Sequence, residues 1–168
     1  MCLPPRGRPC EGRAAPVEPA APRPYLPRAN VPFATFQRKA LPVIAGVGID
    51  MVRIERVWEV LRRHGDRALR RFFTPAEAAR CRGSRHPPES FAARIAAKEA
   101  FFKALGTGWG RGGDWTEVEV VSAESGAPSI TVHGRAAELC AARGVARVHV
   151  SLTHTGDTAA AVVVLETA

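Results

Sequence analysis

The chain has 168 residues, 46% of them hydrophobic and 24% charged, a globular balance with enough length for one domain and a core. Its formal net charge of +8 is uneven: residues 1–42 carry seven Lys/Arg and two Glu, a net of +5 that leaves +3 for residues 43–168. No apolar run approaches the roughly 20 residues that span a bilayer, the N-terminus has no apolar signal segment, and the four scattered cysteines contain no C-x-x-C pair. These features argue against a membrane protein, a disulfide scaffold and a zinc module, and a cytoplasmic setting is expected.

Residues 1–42 hold ten of the fourteen prolines, mixed with Arg, Ala and Gly, and read as a disordered extension. The folded domain is expected over 43–168. It opens with LPVIAGVGI (41–49), a buried strand whose Gly46 and Gly48 mark a bulge or a close backbone approach. Asp50 follows at once, and MVRIERVWEVLRRHG predicts a helix after it. Thr74-Pro75-Ala76-Glu77 has the pattern of a helix start, with Thr as N-cap, Pro at the first turn and Glu completing a capping box. That helix is expected to end near Arg82, before the loop GSRHPPE (83–89).

Phe91 to Gly108 reads as one amphipathic helix closing on glycines, with Phe91, Ile95, Phe102 and Leu105 on one face. Beyond it, residues 115–121 alternate as a half-buried strand and residues 129–133 return as its hairpin partner. Residues 135–143 form a short helix, and 146–153 and 158–166 form two more strands. The whole is an α+β domain, an antiparallel sheet of about four or five strands packed against three or four helices.

Several positions carry chemistry, each with a plainer alternative. Asp50, where strand gives way to helix, caps that helix or binds a metal, since carboxylate oxygen suits Mg²⁺. Glu99 and Lys103, four apart, make a surface ion pair or half of a phosphate and metal site. Lys98 falls within the apolar sector, so something anionic meets it or its stem snorkels. The glycine-rich run from Gly106 through Gly108 to Gly113 is a flexible loop or a phosphate cradle, although it is no Walker A motif. His154 is a turn residue or a catalyst; paired with Ser151 it raises an acyl-transfer reading, without a G-x-S-x-G elbow.

Together, GVGIDMVRIERV (46–57), FTPAEAARC (73–81), FAARIAAKEAFFKALGTGWG (91–110), GAPSI (126–130) and VSLTHTGDTAAAVVVLE (150–166) resemble holo-acyl-carrier-protein synthase, the small single-domain family of phosphopantetheinyl transferases. The resemblance implies transfer of the 4′-phosphopantetheine arm of coenzyme A to a serine of an acyl carrier protein, with adenosine 3′,5′-bisphosphate leaving. It implies Mg²⁺ held by Asp50 and Glu99, Lys103 beside the phosphates and His154 near the coenzyme; as the base, Glu99 is the first choice on reach and His154 the second. Arg56 and Arg94 match basic positions near the carrier or the coenzyme. Lys98, Gly106 and Gly108 complete the expected substrate-binding set. A homotrimer with sites between subunits is implied too. The acidic carrier is expected on the first helix, which carries Arg53, Arg56, Arg62 and Arg63. A charge of +3 gives little reason to expect nucleic acid in the folded part. The competing reading is a basic, non-catalytic binding module for an acidic partner or nucleic acid.

Overall fold

The computed structural model describes residues 42–168; the Pro/Arg-rich extension expected over 1–42, except its last residue, lies outside the described residues. The order is β1 (Ile44–Arg53), α1 (Ile54–Phe72), α2 (Pro75–Arg82), α3 (Pro87–Ala104), β2 (Val118–Ser122), β3 (Pro128–Val132), α4 (Gly134–Ala142), β4 (Val145–Thr155) and β5 (Thr158–Thr167). The five strands form two antiparallel sheets, a three-stranded one ordered β1-β5-β4 and the hairpin β2-β3. The α+β class and the numbers of strands and helices match expectation; the division into two sheets was not anticipated. Among the described residues no helix is long and apolar enough to cross a membrane.

Helix α3 is the centre of the fold. The sequence suggested an amphipathic helix, yet α3 is enclosed on nearly every side: Phe91, Ala92, Ala96, Ala97, Ala100, Phe101 and Phe102 are all buried. Its six alanines explain this, because small side chains let the surrounding elements close in without needing one broad apolar face. The helix starts at Pro87 rather than after Glu89, since Pro87 and Pro88 suit the first turn, where an N–H has no helical partner.

One side of α3 lies on the three-stranded sheet at backbone contact. A Cβ on Gly48 would overlap the Ala100 carbonyl, and one on Gly46 the Ala104 carbonyl. Both readings of these glycines hold, since the β1–β5 register also shifts between Ile44 and Gly46. The end of α1, together with α2, packs near the start of α3 through Leu61, Ala68, Phe73, Cys81 and Phe91.

Other boundaries also differ from expectation: the strand expected from Trp115 begins only at Val118, after a short 3-10 turn at Trp115–Glu117. Strand β1 continues through Asp50 to Arg53, because Asp50, Met51, Val52 and Arg53 pair with Ala161, Ala160, Ala159 and Thr158. Helix α1 does not end at Gly65 but bends there, at φ 51° and ψ −133°, a conformation that glycine adopts without a Cβ penalty. At Thr74 the capping box forms as predicted: Thr74 Oγ1 accepts from Glu77 N, and Glu77 Oε2 accepts from Thr74 N at 2.9 Å.

Candidate active site

The close approach of β1 to α3 decides the geometry here. Alternation along β1 puts Gly46, Gly48, Asp50 and Val52 on the face toward α3 and Val47, Ile49 and Met51 on the other. Asp50 therefore points at the helix two residues beyond the tightest contact. It does not cap α1, whose N-cap is Arg53. Instead Lys103 Nζ donates to Asp50 Oδ1 at 2.7 Å and to the Ile49 carbonyl at 3.1 Å. The i,i+4 ion pair with Glu99, one of the two readings of Lys103, gives way to this one.

Glu99 completes the group. Partial burial pushes its carboxyl above the ordinary glutamate range, the negative charge of Asp50 pushes it the same way, and Lys103 opposes both. Two neighbouring carboxylates fit a divalent cation in kind and in number. Mg²⁺ commonly takes one or two protein carboxylates and completes its shell with water and phosphate oxygens. Among the described residues no cluster of three or more His, Cys, Asp or Glu side chains forms a fuller cage.

A cleft of about 500 Å³ opens beside these carboxylates. Asp50 and Glu99 line it with Arg53, Arg56, Val57, Phe72, Ile95 and Trp115. The cleft is thus part charged and part apolar. Arg53 also approaches Asp157 at 4.0 Å, while Arg62 is engaged by Glu55 at 2.6 Å.

The loop after α3 has the backbone that its glycines allow. Gly106 and Gly108 both sit at φ 66°, and Gly106 N donates to the Lys103 carbonyl, ending the helix one turn beyond Glu99. Arg143 donates to the Leu105 carbonyl at the same helix end. Thr107 Oγ1, between the two glycines, is buried without a hydrogen-bond partner.

Two expected substrate-binding residues lie inside the protein. Lys98 is fully enclosed and forms an ion pair with Glu77 at 2.7 Å, so the substrate role expected for it is corrected: its charge is used within the fold. Of the two sequence readings of Lys98, the anionic partner is the one found. Arg94 is 5% exposed and donates to Ser90 and Ser122, with its Nε unpartnered. His154 lies on the same face of the sheet as Asp50, but on β4, with β5 between them: Val52, Ala159 and His154 form one row across the sheet, next to the row Asp50, Ala161 and Leu152. It is exposed, and one chain alone does not bring it into the Asp50–Glu99 group.

The sequence model of the 4′-phosphopantetheinyl transferase superfamily matches residues 46–163. The chain belongs to that superfamily. A holo-[acyl-carrier-protein] synthase from Koribacter versatilis is 44% identical over 124 residues, covering 74% of this chain and 99% of the relative. Among solved structures, the holo-[acyl-carrier-protein] synthase from Neisseria meningitidis superposes with a TM-score of 0.69 at 30% identity, covering 74% of this chain and all of that one. The Helicobacter pylori synthase, solved in complex with coenzyme A, gives a TM-score of 0.63 at 30% identity and covers 71% and 98% of the two chains. The phosphopantetheinyl transferase match begins at Gly46, the first glycine of the contact that aims Asp50, and extends past His154.

Sequence reasoning missed Glu77 beyond its capping role, and it missed the cleft. The capping-box pattern was the only local sign of Glu77. The cleft is assembled from β1, α1, α3 and Trp115, and no single stretch of sequence shows it.

Proposed function

We propose that this chain transfers the 4′-phosphopantetheine group of coenzyme A to a serine of an apo acyl carrier protein, releasing adenosine 3′,5′-bisphosphate. The observation that carries this reading is the Asp50–Glu99–Lys103 group at the mouth of a mixed polar and apolar cleft, in a chain of this superfamily. Coenzyme A is the donor because relatives of the same fold, including the Helicobacter pylori synthase, were solved with it bound.

Asp50 and Glu99 would hold Mg²⁺. When bound, that ion supplies positive charge at the pyrophosphate oxygens. The serine oxygen attacks the β-phosphorus, and the bond from that phosphorus to the oxygen bridging to the leaving nucleotide breaks. Glu99, which lines the cleft beside Asp50, is assigned on reach as the group that accepts the serine proton, directly or through a water. Lys103 is half exposed and reaches past Asp50 toward solvent, where its ammonium offsets charge on the departing phosphate. The apolar wall of Val57, Phe72 and Ile95 suits the pantetheine chain, and Arg53 and Arg56 at the cleft suit an acidic carrier.

The assembly we favour is a homotrimer. Its support is the outer face of the three-stranded sheet, where Val47, Ile49 and Met51 are 59%, 59% and 66% exposed beside Val162. A contiguous apolar sheet face of this kind marks an interface. A neighbouring copy is also a route by which an outlying residue such as His154 reaches a site.

The direct test is to mix the protein with coenzyme A, Mg²⁺ and an apo carrier protein and to weigh the carrier. A gain equal to one phosphopantetheine group is expected; an unchanged mass would falsify the assignment.

A further inference from the structure

Lys98 and Glu77 form an ion pair buried at 0% and 2% exposure, and the ammonium and both carboxylate oxygens are hydrogen-bonded. The Lys98 ammonium donates to Glu77 Oε2 at 2.7 Å, the Phe72 carbonyl at 2.8 Å and the Trp115 carbonyl at 2.9 Å. Glu77 Oε2 also accepts from Thr74 N, and Oε1 accepts from Val120 N at 2.9 Å. One pair thus ties α3 to the end of α1, the start of α2, the turn at Trp115 and strand β2. Phe72 and Trp115, whose carbonyls it holds, also line the cleft beside Glu99.

Buried ion pairs are poor sources of stability, because desolvation offsets most of the attraction; their better attested use is to select one arrangement among several. Helix α3 has need of such a device. Six of its eighteen residues are alanine, and a methyl group is a weak key for the rotation of a helix about its own axis. Glu99 follows Lys98 directly, about 100° further round the helix. A turn of α3 by a small angle moves the Glu99 carboxylate away from Asp50.

We infer that the Glu77–Lys98 pair is a positioning device for the transfer reaction: it fixes the rotation of α3 and so aims Glu99 at Asp50. The inference rests on the transferase reading and on Asp50 and Glu99 as the metal pair.

The test compares the parent enzyme with Glu77→Gln and with the double variant Glu77→Gln/Lys98→Met, which removes both charges. Leu165→Val, in the sheet core, serves as a control for lost stability alone. Three quantities are measured: thermal unfolding, Mn²⁺ affinity by electron paramagnetic resonance, and kcat with the KM of each substrate. The double variant is expected to remain folded while Mn²⁺ affinity and kcat each fall about tenfold or more, as for loss of a group that orients a metal ligand. The carrier KM should move less than threefold, and the control should keep its Mn²⁺ affinity. If the double variant does not fold, Lys98→Arg gives the same readout, because a planar fork cannot reproduce the three directions of the ammonium. Mn²⁺ affinity within twofold of the parent in the folded variant would overturn the inference, as would an equal loss in the control. Failure of the parent to load a carrier would overturn the transferase reading instead, so the two failures are distinguishable.

Discussion

Lys103 Nζ stands 2.7 Å from Asp50 Oδ1, and so the lysine four residues after Glu99 serves a carboxylate on a different element. This contact joins the first strand to the central helix at the point where metal and phosphate are expected. Removing any one of the three charges unbalances the other two. Asp50→Asn, Glu99→Gln and Lys103→Met are each expected to lower kcat on the order of 10²-fold or more, the scale for loss of one charge stabilising a transition state. Steady-state kinetics at saturating coenzyme A checks this. The two carboxylate variants should also need more Mg²⁺ for half-maximal rate, whereas Lys103→Met should not. A common Mg²⁺ dependence for all three would argue against separate roles.

Gly48 sets how closely Asp50 approaches α3. A methyl group there would overlap the Ala100 carbonyl, and backbone on both sides leaves little to yield. Gly48→Ala is expected to cost about 1–3 kcal/mol by overpacking, read from urea unfolding. Activity should fall by more than the folded fraction explains, because the strand that carries Asp50 is pushed away from Lys103.

Carrier recognition should be separable from coenzyme binding at Arg56, which lines the cleft from α1. Arg56→Glu is expected to raise the carrier KM about tenfold or more and to leave the coenzyme A KM within twofold. Equal changes in both constants would remove the docking role. The parent's carrier KM should also rise with ionic strength.

The sheet face offers a test of assembly. Ile49 is 59% exposed on the side away from α3. The homotrimer proposed above gives the parent a mass, by light scattering, that Ile49→Lys is expected to reduce to that of one chain without unfolding it, since the side chain is outside the core.

Glu119 gives a pH signature. Its carboxyl is held below the ordinary value of 4.5, chiefly by the hydrogen bond from Thr74 Oγ1 at 2.7 Å and then by His133, against the opposing effect of burial. A depressed folded value means that Glu119 contributes stability fully above pH 4.5 and loses it as pH falls through the folded value below that. Glu119→Gln should therefore be less stable than the parent at neutral pH and should show a shallower loss between neutral pH and pH 3, by urea unfolding across the range. Parallel curves for the two proteins would show that Glu119 does not carry this dependence.

What the sequence by itself determined was local. The capping box at Thr74 and Glu77, the glycine end of α3 and the close approach at Gly48 depend on neighbours a few residues apart. Backbone sterics and short periodicities specify them. The family pattern also carried Asp50 and Glu99 into one proposed site.

Only the tertiary structure decided which charges meet. Lys103 finds Asp50 53 positions away, and Lys98 finds Glu77 21 positions away. No periodicity encodes such pairs, because they depend on where α3 lies against β1 and α2. For the same reason Asp50 looked like a strand end: its pairing with Ala161 lies on the last strand of the chain, and nothing local reveals that β1 continues. The near-uniform burial of α3 was hidden as well. Alanine shows little preference for either side of a helix, and only the packed domain shows that every side is covered.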